Sequence, residues 1–199
     1  LVFFKAIKEF QPDYIAAAFD VKGPTLRHLA FKEYKAKRVK APDELYSQIP
    51  LVKEALKAFG VPSYEKEGFE ADDILGTIAK AAPKKQAHPR LETILVSGDM
   101  DALQLVDANT KAYTLRKGLK DCVLYDVNAV KNRFGGLLPS QLTDYKGLRG
   151  DPSDNIPGVT GVGEKTATAL LNAFGSLDRL YELLKEKEIK PPLTRKLAD

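Results

Sequence analysis

Two short apolar runs, each leading into an aspartate, restrict the folds open to this chain more than any other feature. Asp13 to Asp20 has Pro12 before it and Gly23-Pro24 behind it, and Thr93 to Ser97 runs straight into Gly98-Asp99. Apolar runs this short, bounded by Gly and Pro, read as buried strands. Around them lie segments with apolar residues at helical spacing. The first carries Val2, Phe3, Ala6, Ile7 and Phe10; the second opens at Pro42-Asp43-Glu44 and carries Leu45, Ile49, Val52, Ala55, Leu56 and Phe59. Pro50 is expected to kink the second, and Gly60-Val61-Pro62 to end it. A short extended piece near Ser63 to Tyr64 leads to Gly68, a helix is expected from about Ala71 to Ala82, and a loop passes through Pro83 and Pro89. Lys111 to Leu115 and Cys122 to Tyr125 flank Gly118 as a strand pair, and Val127 to Phe134 returns to helix. Strands alternating with helices call for an α/β fold with a mostly parallel central sheet flanked by helices.

Beyond Pro139 the pattern changes. Ser140 to Leu148, Glu164 to Phe174 and Leu177 to Lys187 are helical, joined by Gly-rich turns with no strand between them. The expected organisation is an α/β core over residues 1–138 with a helical subdomain over 139–199. The chain opens on Leu1, already inside a helical pattern, and is expected to be truncated at the front.

Composition narrows the chemistry. The longest apolar runs are far short of the roughly 20 residues of a membrane span, so no membrane association is expected. A lone Cys122 cannot form an internal disulfide, and His28 and His88 are too few for a zinc site. The setting is compatible with a cytoplasm, and any metal must be held by carboxylates. Net charge is only +4, yet Thr25 to Lys40 carries Arg27, Lys32, Lys35, Lys37, Arg38 and Lys40 against Glu33 alone. One segment supplies the whole basic excess.

Four groups of acids stand out: Asp20 at a strand end, Glu70 with Asp72 and Asp73 at a helix start, Asp99 with Asp101 after a strand, and Asp151 with Asp154 in a loop. Many acids in a chain with 27 of them are simply solvated, and acids at a helix N-terminus are favoured by its dipole. Position argues for more. Sites in open α/β sheets form at the carboxyl ends of strands, where Asp20 and Asp99 both stand. Glu70 and Asp73 share a helix face. Two carboxylates about 4 Å apart repel by roughly 4 kcal/mol at an effective dielectric near 20, so a cluster needs cations. With oxygen ligands only, the candidates are Mg²⁺ or Mn²⁺, and a pair of such ions is the recurring device for phosphodiester hydrolysis.

Gly158-Val159-Thr160-Gly161-Val162-Gly163-Glu164-Lys165-Thr166 is not a phosphate-binding P-loop, because Glu164 separates the last glycine from the lysine and no apolar strand precedes it. Two readings stay open: a plain helix-to-helix turn, and a helix-hairpin-helix element in which Gly158, Gly161 and Gly163 let backbone N–H groups meet a DNA phosphate beside Lys165 and Thr166. The basic segment interleaves Phe31 and Tyr34, which could stack on unpaired bases, or it is a solvated basic face. His28 lies in it with no partner visible.

Three strings carry a resemblance: Gly68-Phe69-Glu70-Ala71-Asp72-Asp73, Ser97-Gly98-Asp99-Met100-Asp101, and Gly150-Asp151-Pro152-Ser153-Asp154-Asn155-Ile156-Pro157-Gly158. In this order and spacing they resemble the 5′–3′ exonuclease and flap endonuclease family, and within it the nuclease domains of bacterial DNA polymerase I. The resemblance implies a PIN-like 5′-nuclease core and a metal-binding role for all eight acids: Asp20, Glu70, Asp72 and Asp99 near one ion, Asp73, Asp101, Asp151 and Asp154 near a second. It implies that residues 25–40 form a helical arch, with Lys35 and Arg38 on the scissile phosphate and Arg27 assisting, and that the hairpin over 158–163 grips duplex DNA and holds a K⁺ ion through backbone carbonyls. The family's first strand, bearing another metal-binding Asp, is absent here.

The expected function is therefore structure-specific hydrolysis of DNA near single-strand/duplex junctions by a two-metal mechanism, in replication and repair. The expected partner is branched or flapped duplex DNA, with a polymerase domain in cis. A monomer in the bacterial cytoplasm, associated with the nucleoid, is expected. Two alternatives remain: a non-catalytic module binding junction DNA, and an RNA-processing nuclease of related fold.

Overall fold

The computed structural model describes residues 2–82, 91–117 and 121–186. The loop expected at Pro83 and Pro89, the turn at Gly118 and the last residue expected for the final helix, Lys187, lie outside them. In chain order the elements are α1 (Val2–Phe10), β1 (Ala17–Ala18), α2 (Leu26–Ala30), α3 (Asp43–Ala58), β2 (Ser63–Tyr64), α4 (Ala71–Ala81) and β3 (Thr93–Ser97). A 3-10 helix (Met100–Leu105) leads to β4 (Thr110–Lys117), β5 (Asp121–Tyr125) and α5 (Val127–Arg133). A second 3-10 turn (Pro139–Gln141), α6 (Leu142–Arg149), α7 (Glu164–Phe174) and α8 (Leu177–Lys185) follow.

The strands form two small ladders. β1 pairs with β2 in parallel, Ala17 opposite Ser63, with α3 as part of the crossover between them. β3 pairs with β4 in parallel from Thr93 opposite Thr110 to Ser97 opposite Thr114, and β4 turns back onto β5 antiparallel. The strand expected over Asp13 to Asp20 is shorter than its apolar run. Its ladder lasts only as long as β2, which lies between Pro62 and the turn at Gly68, and it is held by Ala17 N–H to Pro62 O and Phe19 N–H to Tyr64 O, both 2.9 Å. α3 runs without a break through Pro50.

Two apolar cores organise the rest. Leu103, Val106, Ala112, Tyr125, Val130 and Leu142 pack the 3-10 helix, α5 and the start of α6 onto the three-stranded sheet. Leu137, Tyr145, Leu148, Ala167, Leu170, Leu171 and Leu180 hold α6, α7 and α8 together. Phe134 packs against both and meets Tyr145 edge-on with ring centroids 5.7 Å apart, so this aromatic pair and Leu142 join the last helices to the sheet. α4 lies close on the 3-10 helix: a Cβ on Gly76 would stand 3.1 Å from Leu105. That packing sets the start of α4 beside the residues leaving β3.

Candidate metal centre

Asp20 and Asp99 each follow a strand by two residues, and the first turn of α4 brings Glu70, Asp72 and Asp73 between them. Asp20 Oδ1 accepts from Ala71 N–H at 2.7 Å, tying the exit of β1 to α4. Asp99 caps the 3-10 helix by accepting from Asp101 N–H at 2.9 Å. Asp72 stands among like charges. Burial, and then the fields of Asp99, Asp20, Asp101 and Glu70, push its carboxyl up to about 6.

A second group joins the first through Asp101. One carboxylate oxygen from each of Asp101, Asp151 and Asp154 lies within 4.8 Å of the others. Asp151 is held in its loop by a bridge to Ile156 and by Ser153, whose N–H and hydroxyl both donate to Oδ1. Lys146 on α6 donates to Asp101 and, at 2.6 Å, to Asp151. Burial alone would raise the Asp151 carboxyl, but Lys146 and Ser153 overcome it and hold it down to about 2. Asp101 shares the same ammonium yet stays above the ordinary carboxylate range, because burial dominates and Asp99 and Asp151 repel its charge. Lys146 itself is raised: burial disfavours its charge, and the two carboxylates more than reverse that. Lys146 was not among the expected site residues. In sequence it is one basic residue of 31, five positions before Asp151, and only the fold of α6 onto the 3-10 helix reveals its contact with Asp101.

The basic segment closes the cleft from the other side. Arg27 grips Asp73 with two bonds of 2.7 Å, Lys35 Nζ donates to both oxygens of Glu70 at 2.9 and 2.8 Å, and Arg38 reaches Asp154 at 3.3 Å. Ion pairs and hydrogen bonds thus tie the three expected cations to Glu70, Asp73 and Asp154, Asp101 lies beside Asp151 and Asp154, and Asp72 feels the charges of Asp20, Glu70, Asp99 and Asp101.

Several expectations need correction. Asp73 is ion-paired, as Glu70 is with Lys35: its oxygens take Arg27 and the Glu70 N–H, and the Arg27 bonds hold its carboxyl below the usual range. It anchors Arg27 and caps α4. Tyr34 is only 6% exposed, with its hydroxyl 3.1 Å from both Glu70 and Asp154, so its ring is withdrawn from any base. Burial and those two acids hold its hydroxyl protonated as a donor. The segment expected as a helical arch is helical only over Leu26–Ala30. Phe31 is extended (φ −141°, ψ 104°), and Lys35, at φ 56°, bonds through its N–H to Asp154 O at 2.9 Å. Contacts to the facing loop override helix formation there. His28, which had no visible partner, accepts from Thr25 and closes the first turn of α2.

The glycine hairpin divides in two. A Cβ on Gly158 would lie 2.3 Å from the Arg149 carbonyl carbon, so the backbone passing beside it leaves room for glycine alone. A Cβ on Gly161 (φ +78°) or Gly163 would meet nothing within 4 Å among the described residues. They lead into the first turn of α7 with Lys165 exposed and Thr166 half-buried. Unpaired N–H groups at such a helix start favour anions.

The donor set of the cleft is all oxygen, and its most strained member is a carboxyl raised by neighbours of its own charge. Hard divalent cations fit this set, and soft metals do not.

Comparison with known proteins gives the family and the fold. The family described as 5′-3′ exonuclease, N-terminal resolvase-like domain, matches residues 2–135, and the 5′-3′ exonuclease C-terminal SAM fold matches residues 137–199. The chain is 45% identical over 183 residues to DNA polymerase I of Chloroflexus aurantiacus, covering 91% of this chain and 19% of that protein. It is 41% identical over 181 residues to a 5′-3′ exonuclease of Mycoplasma genitalium, covering 91% of this chain and 61% of that protein. It therefore spans only part of either relative. The crystal structure of T5 D15 protein co-crystallized with metal ions shares the fold, with a TM-score of 0.73 and 23% identity over 90% of this chain and 68% of that one.

Proposed function

Since this chain belongs to the 5′–3′ exonuclease family, we propose that it is a nuclease unit hydrolysing DNA phosphodiesters near the junction of a 5′ single strand and duplex. The observation that carries this reading is the convergence of acids from four separate segments on one cleft rimmed by Lys35 and Arg38.

Asp20, Glu70, Asp72 and Asp99 would hold one divalent ion, and Asp101, Asp151 and Asp154 a second. Mg²⁺ or Mn²⁺ would supply Lewis acidity at the phosphate and relieve the repulsion among the carboxylates. The protein's own groups do the rest. Lys35 and Arg38 neutralise charge developing on the scissile phosphate, and Asp73 orients Arg27 toward the same place. Tyr34, donating to Glu70 or Asp154, holds the two acidic groups in register. The open turn at Gly161 and Gly163, with Lys165 and Thr166, binds duplex backbone without reading bases, and a K⁺ ion at the hairpin belongs to this proposal. So do a monomeric nuclease unit, a bacterial cytoplasmic setting and a polymerase domain in cis, the last supported by the polymerase I relative.

The test is cleavage of a labelled 5′-flap duplex with Mg²⁺ and with EDTA, for the wild type and Asp99→Asn. Metal-dependent cutting near the junction is expected, abolished in the variant with flap binding intact. Binding without cleavage in Mg²⁺ would leave a junction-binding module instead, and preference for an all-RNA substrate would favour the RNA-processing reading.

A further inference from the structure

Three non-glycine residues have a left-handed backbone among the described residues, and two of them, Lys35 (φ 56°) and Asn155 (φ 58°), lie on the two segments that meet beside the cleft. Asn155 Nδ2 donates to Glu33 O at 2.8 Å, across 122 positions of sequence, and Lys35 N–H donates back to Asp154 O at 2.9 Å. The two bonds form a clip between the turn over 33–35 and the loop over 154–155. Left-handed backbone is unfavourable for a lysine and tolerable for an asparagine, and such conformations persist only where surrounding contacts over-determine them.

Resting on the nuclease reading above, we propose that Asn155 is a positioning residue that sets Lys35 over the cleft from the hairpin subdomain. Its loop carries Asp151 and Asp154, passes through Ile156-Pro157 and enters the glycine hairpin. Val159 N–H to Leu148 O at 2.8 Å fixes the hairpin entry on α6. The clip therefore links the element offered to duplex with the lysine that faces the phosphate. Asparagine suits both demands: it accepts the backbone angle, and its amide supplies the donor Glu33 O needs. Aspartate would face that carbonyl with a negative charge, and glycine would keep the backbone while losing the donor.

The experiment compares Asn155→Gly, Asn155→Asp, Lys35→Ala and the Asn155→Gly/Lys35→Ala double variant in single-turnover cleavage and binding of a 5′-flap duplex. Asn155→Gly is expected to slow the bound-state rate by about three- to tenfold, the range one neutral hydrogen bond supplies, with affinity within about twofold of wild type. Asn155→Asp is expected to be slowed at least as much. The double variant is expected to be no slower than Lys35→Ala alone, because Asn155 acts through Lys35. Amide hydrogen exchange supplies a readout free of catalysis. Lys35 N–H is expected to lose protection in Asn155→Gly while Gly150 and Val159 N–H keep theirs. Multiplicative rate losses in the double variant, or a Lys35 amide still protected in Asn155→Gly, would overturn the proposal. If the wild type cuts no flap, the nuclease reading falls, and the exchange result alone decides the clip.

Discussion

Replacing Asp72 with Asn removes the most frustrated charge in the cleft, and the structure sets both the size and the pH range of the effect. Burial and the surrounding acids raise this carboxyl from 3.8 to about 6. A carboxyl raised on folding binds protons more readily in the folded state, so stability falls as pH rises from 3.8 to about 6, and the penalty is complete above that range. At about 1.4 kcal/mol per unit the shift corresponds to roughly 3 kcal/mol. Asp72 is half-buried, and solvent screening reduces this to about 1–2 kcal/mol. Asparagine has nearly the same shape and cannot ionise. Metal-free Asp72→Asn is therefore expected to melt about 2–8 °C above the wild type at pH 8, since each kcal/mol moves the midpoint of a domain this size by about 2–4 °C. The gain should disappear by pH 3.5. Millimolar Mg²⁺ should raise the wild-type midpoint more than the variant's, because the ion relieves the repulsion the mutation has removed. Calorimetry in EDTA and in Mg²⁺ at both pH values measures all of this. A variant less stable than wild type at pH 8, or a gain that persists at pH 3.5, would refute the electrostatic reasoning.

Gly158→Ala is expected to lower stability by about 3 kcal/mol or more, since its Cβ would overlap the Arg149 backbone, while Gly161→Ala costs only the left-handed backbone, about 1 kcal/mol; urea midpoints separate them. A bulky residue at Gly161 should weaken binding to every duplex-containing substrate without changing sequence preference, as read by anisotropy. Lys146→Met leaves Asp101 and Asp151 without their shared ammonium, so metal-free stability at pH 7 should fall by about 1–3 kcal/mol and the Asp151 carboxyl should titrate higher, both recovering in Mg²⁺, as followed by denaturation and carboxyl NMR. Replacing both Lys35 and Arg38 with Ala should slow bound-state cleavage by about 100-fold or more while reducing the salt slope of binding by at most about 2 units; lost affinity with an unchanged rate would make the segment a mere electrostatic handle.

The acids of the cleft were legible because each stands at a position that topology makes special. Asp20 and Asp99 close apolar runs, Glu70 and Asp72 begin a helix, and Asp151 and Asp154 sit in a turn between helices. What stayed hidden depends on contacts between distant segments. Nothing near Asp73 announces Arg27, 46 positions away, as the partner that takes both its oxygens. Tyr34 looks like an exposed aromatic in a basic stretch until Glu70 and Asp154 converge on its hydroxyl. The same loop bends residues 31–37 out of the helix their composition suggests. Gly158 resembles its neighbours in sequence, and only the close passage of Arg149 and Gly150 separates its task from that of Gly161. The short β1 has the same origin, since a ladder is only as long as its partner strand.

The proposed function requires these carboxylates to form one centre for two divalent ions. Anomalous scattering from crystals soaked in Mn²⁺ tests it most directly. One ion is expected among Asp101, Asp151 and Asp154 and a second beside Asp72, with Glu70 turned from Lys35 toward it and Asp73 still bound to Arg27. Manganese found only on scattered surface acids, or coordinated by Asp73 in place of Asp72, would contradict it.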